Sequence, residues 1–146
     1  MIEYLYSRIL VTLAAVAITG LIISMSASSS QRLMKDLAED IAKQFVQLVS
    51  TAASIDCEHF SADFVVADLP FSLDATLTVR HESIRVVIGG YAALGIFENR
   101  VNLMNGNGTV DVVEFHSSTH GMRILSEKDY FKKVNRVTLC LIEISS

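Results

Sequence analysis

From Ile9 to Ala27 the chain runs nineteen residues, ILVTLAAVAITGLIISMSA, without a formal charge. A bilayer's apolar core is about 30 Å thick and takes about twenty helical residues, so the run is long enough to cross one. Neither proline nor glycine interrupts Leu21 to Asp56. Past Ser30 the pattern becomes amphipathic. Leu33, Leu37, Ile41, Phe45 and Leu48 recur at spacings of four and three with Val49 beside them, while Arg32, Lys35, Asp36, Glu39, Asp40 and Lys43 take the opposite side. Lys35–Glu39 and Glu39–Lys43 add i,i+4 pairs of opposite charge. The expectation is one rod of about fifty residues, about 75 Å long at 1.5 Å per residue. Its apolar half is residues 1–30 and its amphipathic half residues 31–56.

Three uses of the apolar half compete. A cleaved secretory signal has a shorter apolar stretch behind a positive n-region, and here the n-region carries Glu3 as well as Arg8. A single-pass anchor needs only the length. A filament-forming helix needs in addition a face for close self-packing. Gly20, Ser24 and Ser28 supply a seam of small residues at fourfold spacing. Glu3, just before the span, needs a partner or the polar headgroup level.

From Phe60 onward the period switches to two, which reads as a β domain over residues 57–146. Leu73–Arg80 and Ile84–Ile88 alternate around His81-Glu82-Ser83, a hairpin stopped by Gly89-Gly90. Phe64–Leu69, Tyr91–Met104, Thr109–Phe115, Met122–Leu125 and Val134–Ile144 bring the expectation to six or seven strands. Asn105-Gly106-Asn107-Gly108 is the strongest turn, because Asn-Gly supplies the positive φ of a tight hairpin. The expected fold class is therefore α+β, a long N-terminal helix packed on an antiparallel β-sheet or small sandwich.

Cys57 and Cys140 lie at the expected helix end and in the last apolar strand. An even count in an extracytoplasmic chain points to a disulfide between them; two separate buried thiols are the alternative. Asn107-Gly108-Thr109 is an N-glycosylation sequon in a loop-like setting. Arg32, Lys35 and Lys43 after the span, against Arg8 before it, favour a cytoplasmic domain by the positive-inside rule. The cysteines and the sequon favour the outside, which is the orientation expected.

The chemistry-bearing residues are sparse. Glu114, His116 and His120 come nearest to a metal set, but Ser117-Ser118-Thr119 and Gly121 place them at a strand end and turn, so no metal is expected. Cys57-Glu58-His59 puts a thiol near an imidazole in sequence alone. No glycine loop is followed by the helix and Lys or Ser/Thr that hold phosphate. A net charge of −4 disfavours nucleic acid, and Lys132, Lys133 and Arg136 are the closest approach to a basic cluster. Neither an enzyme nor a cofactor is expected.

The layout, with Ile2-Glu3-Tyr4-Leu5 opening the apolar helix, resembles type IV pilin-like proteins, in particular archaeal pilin and archaellum-type subunits or their accessory proteins. The resemblance implies a pilin-like fold and gives Glu3 a role in registering one subunit against the next. Arg8, inside what should be the apolar core, points to a minor or accessory subunit. The function expected is a structural subunit of a surface filament, assembled through the apolar helix with its own copies or other pilin-like subunits. The alternative is a single-pass, membrane-anchored extracellular β domain, held in lipid, that binds an envelope or surface-layer protein.

Overall fold

A computed structural model describes residues 30–144. Helix α1 spans Ser30–Ser54, and nine strands follow: β1 His59–Phe64, β2 Ala75–Arg80, β3 Ser83–Ile88, β4 Tyr91–Ile96, β5 Asn102–Asn105, β6 Gly108–Thr109, β7 Val112–His116, β8 His120–Glu127 and β9 Arg136–Glu143. They form two sheets, one of order β1-β8-β9-β5-β6 and one of order β4-β3-β2-β7. Inward side chains alternate as a half-buried sheet demands. Leu77, Val79, Ile84, Val86 and Ile88 come from the four-stranded sheet, and Met122, Ile124, Val137 and Leu139 from the five-stranded one.

The helix corrects the expected fold class. Among the described residues it is a 25-residue element, and it packs between two sheets, one of them mixed, where a single antiparallel sheet or a small sandwich beside a longer helix was expected. The pilin-like architecture is not what the described residues form. The physical reason is the alanines. Leu33, Leu37, Ile41, Phe45 and Leu48 make one buried row, as expected, but Ala38, Ala42, Ala52 and Ala53 are buried too. Counting only large residues gives one sticky stripe, whereas the helix has two adjacent faces to cover. Phe45 sits edge-on to Phe64 of β1 at 5.0 Å and tilted against Phe97 at 5.9 Å. Residues 31–56 and the β portion thus share a single core. The apolar half of the expected rod lies outside the described residues.

The sheets hold a second correction. Strand β5 runs parallel to β9, pairing Asn102 with Thr138 and Met104 with Cys140, so the five-stranded sheet is mixed. Between β4 and β5 the chain crosses from one sheet to the other and is tied to the β2–β3 turn, Phe97 N–H donating to Glu82 O and Val101 N–H to His81 O, both 2.9 Å. The apolar run expected as a strand over Phe64–Leu69 instead follows β1, and a 3-10 turn, Pro70–Ser72, comes after it.

The turns behave as their residues require. Gly89 and Gly90 both have positive φ, 57° and 87°, closing β3 onto β4 with the two-residue loop that matches strand twist. In the β5–β6 turn the positive φ, 63°, falls on Gly106. Asn107 is exposed at its tip.

Candidate functional site

Around Asp74, residues that could do chemistry are brought together, and the geometry spends them on structure. Asp74 Oδ1 accepts from Ser117 Oγ at 3.0 Å and from Ser118 N–H at 3.1 Å, while His116 Nδ1 lies 3.1 Å from Asp74 Oδ2. Ser117 Oγ in turn accepts from Ala75 N–H at 3.0 Å. The carboxylate stands between serine and histidine, whereas an activated serine needs the imidazole in the middle as base. The serine's proton is committed to Asp74 and its lone pair to the backbone. The cluster latches the start of β2 to the β7–β8 turn.

The other sequence candidates separate in space or fall outside the description. His116 ends β7 and His120 begins β8, with Glu114 facing out beside Thr78. Among the described residues no group of three His, Cys, Asp or Glu could hold a metal ion. Cys57 donates its thiol proton to the His59 carbonyl at 2.7 Å, not to the imidazole. The expected disulfide is corrected: Cys57 and Cys140 are not joined. Cys140 alternates with the buried Leu139 and so takes the outer face of β9, opposite Arg123 and Met104 in register, whereas Cys57 is buried at the base of α1. Burial pushes the Cys140 thiol above its ordinary pKa, and the Arg123 charge pulls it part of the way back. The assembly residues Glu3, Gly20, Ser24 and Ser28 lie outside the described residues.

What remains is a surface. In the β3–β4 hairpin, the two-residue loop makes Ile88–Tyr91 a bonded pair. Bonded pairs then recur at Val86–Ala93 and Ile84–Gly95, and Phe97 N–H reaching Glu82 O continues the series. The alternate residues Ala92, Leu94 and Ile96 therefore turn their N–H and C=O groups away from β3. Strand β4 is an edge, so those groups face no other strand. Edge strands are normally blunted by charge, proline, bulges or brevity. β1 carries Asp63, β7 carries Glu114 and β6 has two residues, but β4, YAALGI, has none of these protections. Leu94 and Ile96 are 65% and 67% exposed.

Beside that edge runs an open groove of about 550 Å³, with Glu39, Lys43, Val46 and Gln47 of α1 on one wall and β4 on the other. At Gly95 the helix approaches β4 closely. A Cβ on Gly95 would stand 2.6 Å from Val46 Cγ2 and 3.3 Å from the Ala42 carbonyl. Sequence reasoning read β4 only as another strand. The signal available was its lack of any charge; that it is an edge depends on strand order. No helix among the described residues is long and apolar enough to cross a membrane, and the run from Ile9 to Ala27 is not among them.

No family model matches the chain, and no curated protein or solved structure matches it either.

Proposed function

We propose that the chain is a membrane-tethered, non-enzymatic interaction module. The apolar run through residue 27 is its tether, and the groove beside β4 receives an extended peptide segment of an envelope partner as an added strand. The observation that carries this reading is the uncharged open edge of β4 beside an open groove of about 550 Å³. Main-chain groups of Ala92, Leu94 and Ile96 supply affinity for any extended backbone, and side-chain pockets select alternate residues of the guest. The groove's 550 Å³ falls within the volume range of small-molecule sites. The Asp74 cluster, whose serine has no base, adds nothing that argues for catalysis.

The test has two arms. Leu94→Pro removes one outward N–H without touching a β3–β4 bond, and proline is tolerated on an edge strand in that orientation. The variant should keep its thermal melt and lose the partner segment that photo-crosslinks from position 96 in native membranes. A crosslink of undiminished yield would overturn strand addition. The tether is read by immunogold labelling of sheared surface material with an antibody to the β domain. Label on membranes supports the module, and labelled filaments would return the run from Ile9 to Ala27 to the subunit role.

A further inference from the structure

The loop joining β8 to β9 carries Lys128, Asp129, Tyr130, Phe131, Lys132, Lys133, Val134 and Asn135, with Arg136 opening β9. Phe131 is 98% exposed and Tyr130 76%. Single apolar residues on a surface are ordinary, but an aromatic side chain displayed almost whole to water is not. Its exposure is built into the loop. Phe131 N–H donates to Asp129 Oδ1 at 3.0 Å, Lys128 N–H to Glu58 O at 3.1 Å and Asn135 N–H to Ala53 O at 2.9 Å. The Tyr130 hydroxyl donates to Glu58 at 3.2 Å, turning that ring along the loop's base.

Charge is distributed on the same plan. Four cations against Asp129 leave residues 128–136 at +3 in a chain whose net charge is −4. The acids near the loop are at its base: Glu127 ends β8 opposite Arg136 in register, Asp56 lies 3.3 Å from Lys128, Glu58 holds Tyr130, and Asp129 faces Arg136 at 4.0 Å. Lys132 and Lys133, beside Phe131, are exposed and form no ion pair among the described residues.

We propose that this loop is a docking tip for an anionic lipid bilayer, Phe131 entering the interface and Lys132 and Lys133 meeting the headgroups. An apolar ring wants a non-aqueous phase, and lysines at its flanks want negative charge; a bilayer bearing anionic lipids offers both within one contact. The tip lies at the C-terminal end of α1, whereas the apolar run leads into its N-terminal end at Ser30. The two ends of this 25-residue helix are about 37 Å apart. That exceeds the Debye length of about 8 Å, so the charge of one bilayer is not felt at the other end. Combined with the tether proposed above, the domain bridges two facing bilayers; the tip itself does not depend on the β4 groove.

The experiment places the full chain in nanodiscs of phosphatidylcholine and titrates them with vesicles of phosphatidylcholine alone or with added phosphatidylserine, reading co-sedimentation. Nanodiscs should follow the phosphatidylserine vesicles, stay behind with the neutral ones, and be released by high salt. The double variant Lys132→Ala, Lys133→Ala should weaken binding about 25-fold, from about 5-fold per lysine. Phe131→Ser, at a position in water, should weaken it about tenfold while leaving the thermal melt unchanged. No binding to the anionic vesicles, equal binding to both kinds, or full binding by these variants would overturn the proposal. Chain that elutes outside the nanodiscs counts against the tether alone. The same vesicles and variants then decide the tip with unincorporated chain.

Discussion

Two side chains from the five-stranded sheet and its connection close the C-terminal end of α1, and they share an acceptor. Ser126, 1% exposed, donates its hydroxyl to Ala52 O at 2.6 Å. Asn135 Nδ2 donates to the same Ala52 O at 3.1 Å and to Ile55 O at 2.7 Å. The last carbonyls of a helix have no partner within it, and here the sheet provides one. Ser126→Ala leaves Ala52 O one donor and should cost about 1 kcal/mol. Asn135→Ala removes two bonds but keeps a donor on Ala52, for about 2 kcal/mol. The double variant strips a buried carbonyl bare and adds its desolvation penalty of about 1–3 kcal/mol, so the pair should cost about 4–6 kcal/mol where the singles sum to about 3. With a urea m-value of about 1.5 kcal/mol/M, the midpoint falls by about 0.7 M, 1.3 M and 3 M or more in the three variants. The assay is tyrosine fluorescence of the full chain in mild detergent. Additivity within about 0.5 kcal/mol would refute the shared acceptor and mean that water reaches the Ala52 oxygen.

Three further outcomes are expected. Gln44 Oε1 is a buried acceptor with no hydrogen-bond partner among the described residues, so Gln44→Leu should raise the urea midpoint; a fall would show that the oxygen is satisfied in solution. Burial first, and the neighbouring Asp36 and Glu39 charges, raise the Asp40 carboxyl above its ordinary pKa while Lys43 lowers it. A carboxyl whose folded pKa is raised holds more protons folded than unfolded, so its unfavourable term is absent below the unfolded value of 3.8 and complete above the folded one. Asp40→Asn should therefore stabilise the protein at neutral pH, with the gain vanishing in acid; a gain of equal size at both would exclude titration of Asp40 as its source. Cys140, its thiol raised by burial, should alkylate more slowly than a free cysteine at mildly alkaline pH and catch up as the pH rises. Non-reducing mobility unchanged in Cys140→Ser is the companion result for a pair that forms no bridge.

Much was legible along the chain because it is set by neighbours in sequence. The apolar periodicity from Leu33 to Val49 marked a helix, and the alternation in Leu73–Arg80 and Ile84–Ile88 marked strands that end where Gly89 and Gly90 take positive φ. A hydrogen bond to the next turn or a two-residue loop is a local decision. The histidines around Ser117-Ser118-Thr119 read as a strand end and turn for the same reason, and they are one. The basic cluster at Lys132 was visible too, though not the exposure of Phe131 beside it.

Tertiary structure decided what depends on partners distant in the chain. Small alanines at 38, 42, 52 and 53 are neutral in a one-sided pattern, and only two sheets closing on the helix make them core. The parallel pairing of β5 with β9 carries no local signature, since register is settled by which faces need burying. Cys140 looks like a disulfide partner until its strand turns it to the outer face. Ala92, Leu94 and Ile96 have the composition of any buried strand. What makes them a surface is that β4 comes last in its sheet, an outcome of strand order that no single stretch of sequence encodes.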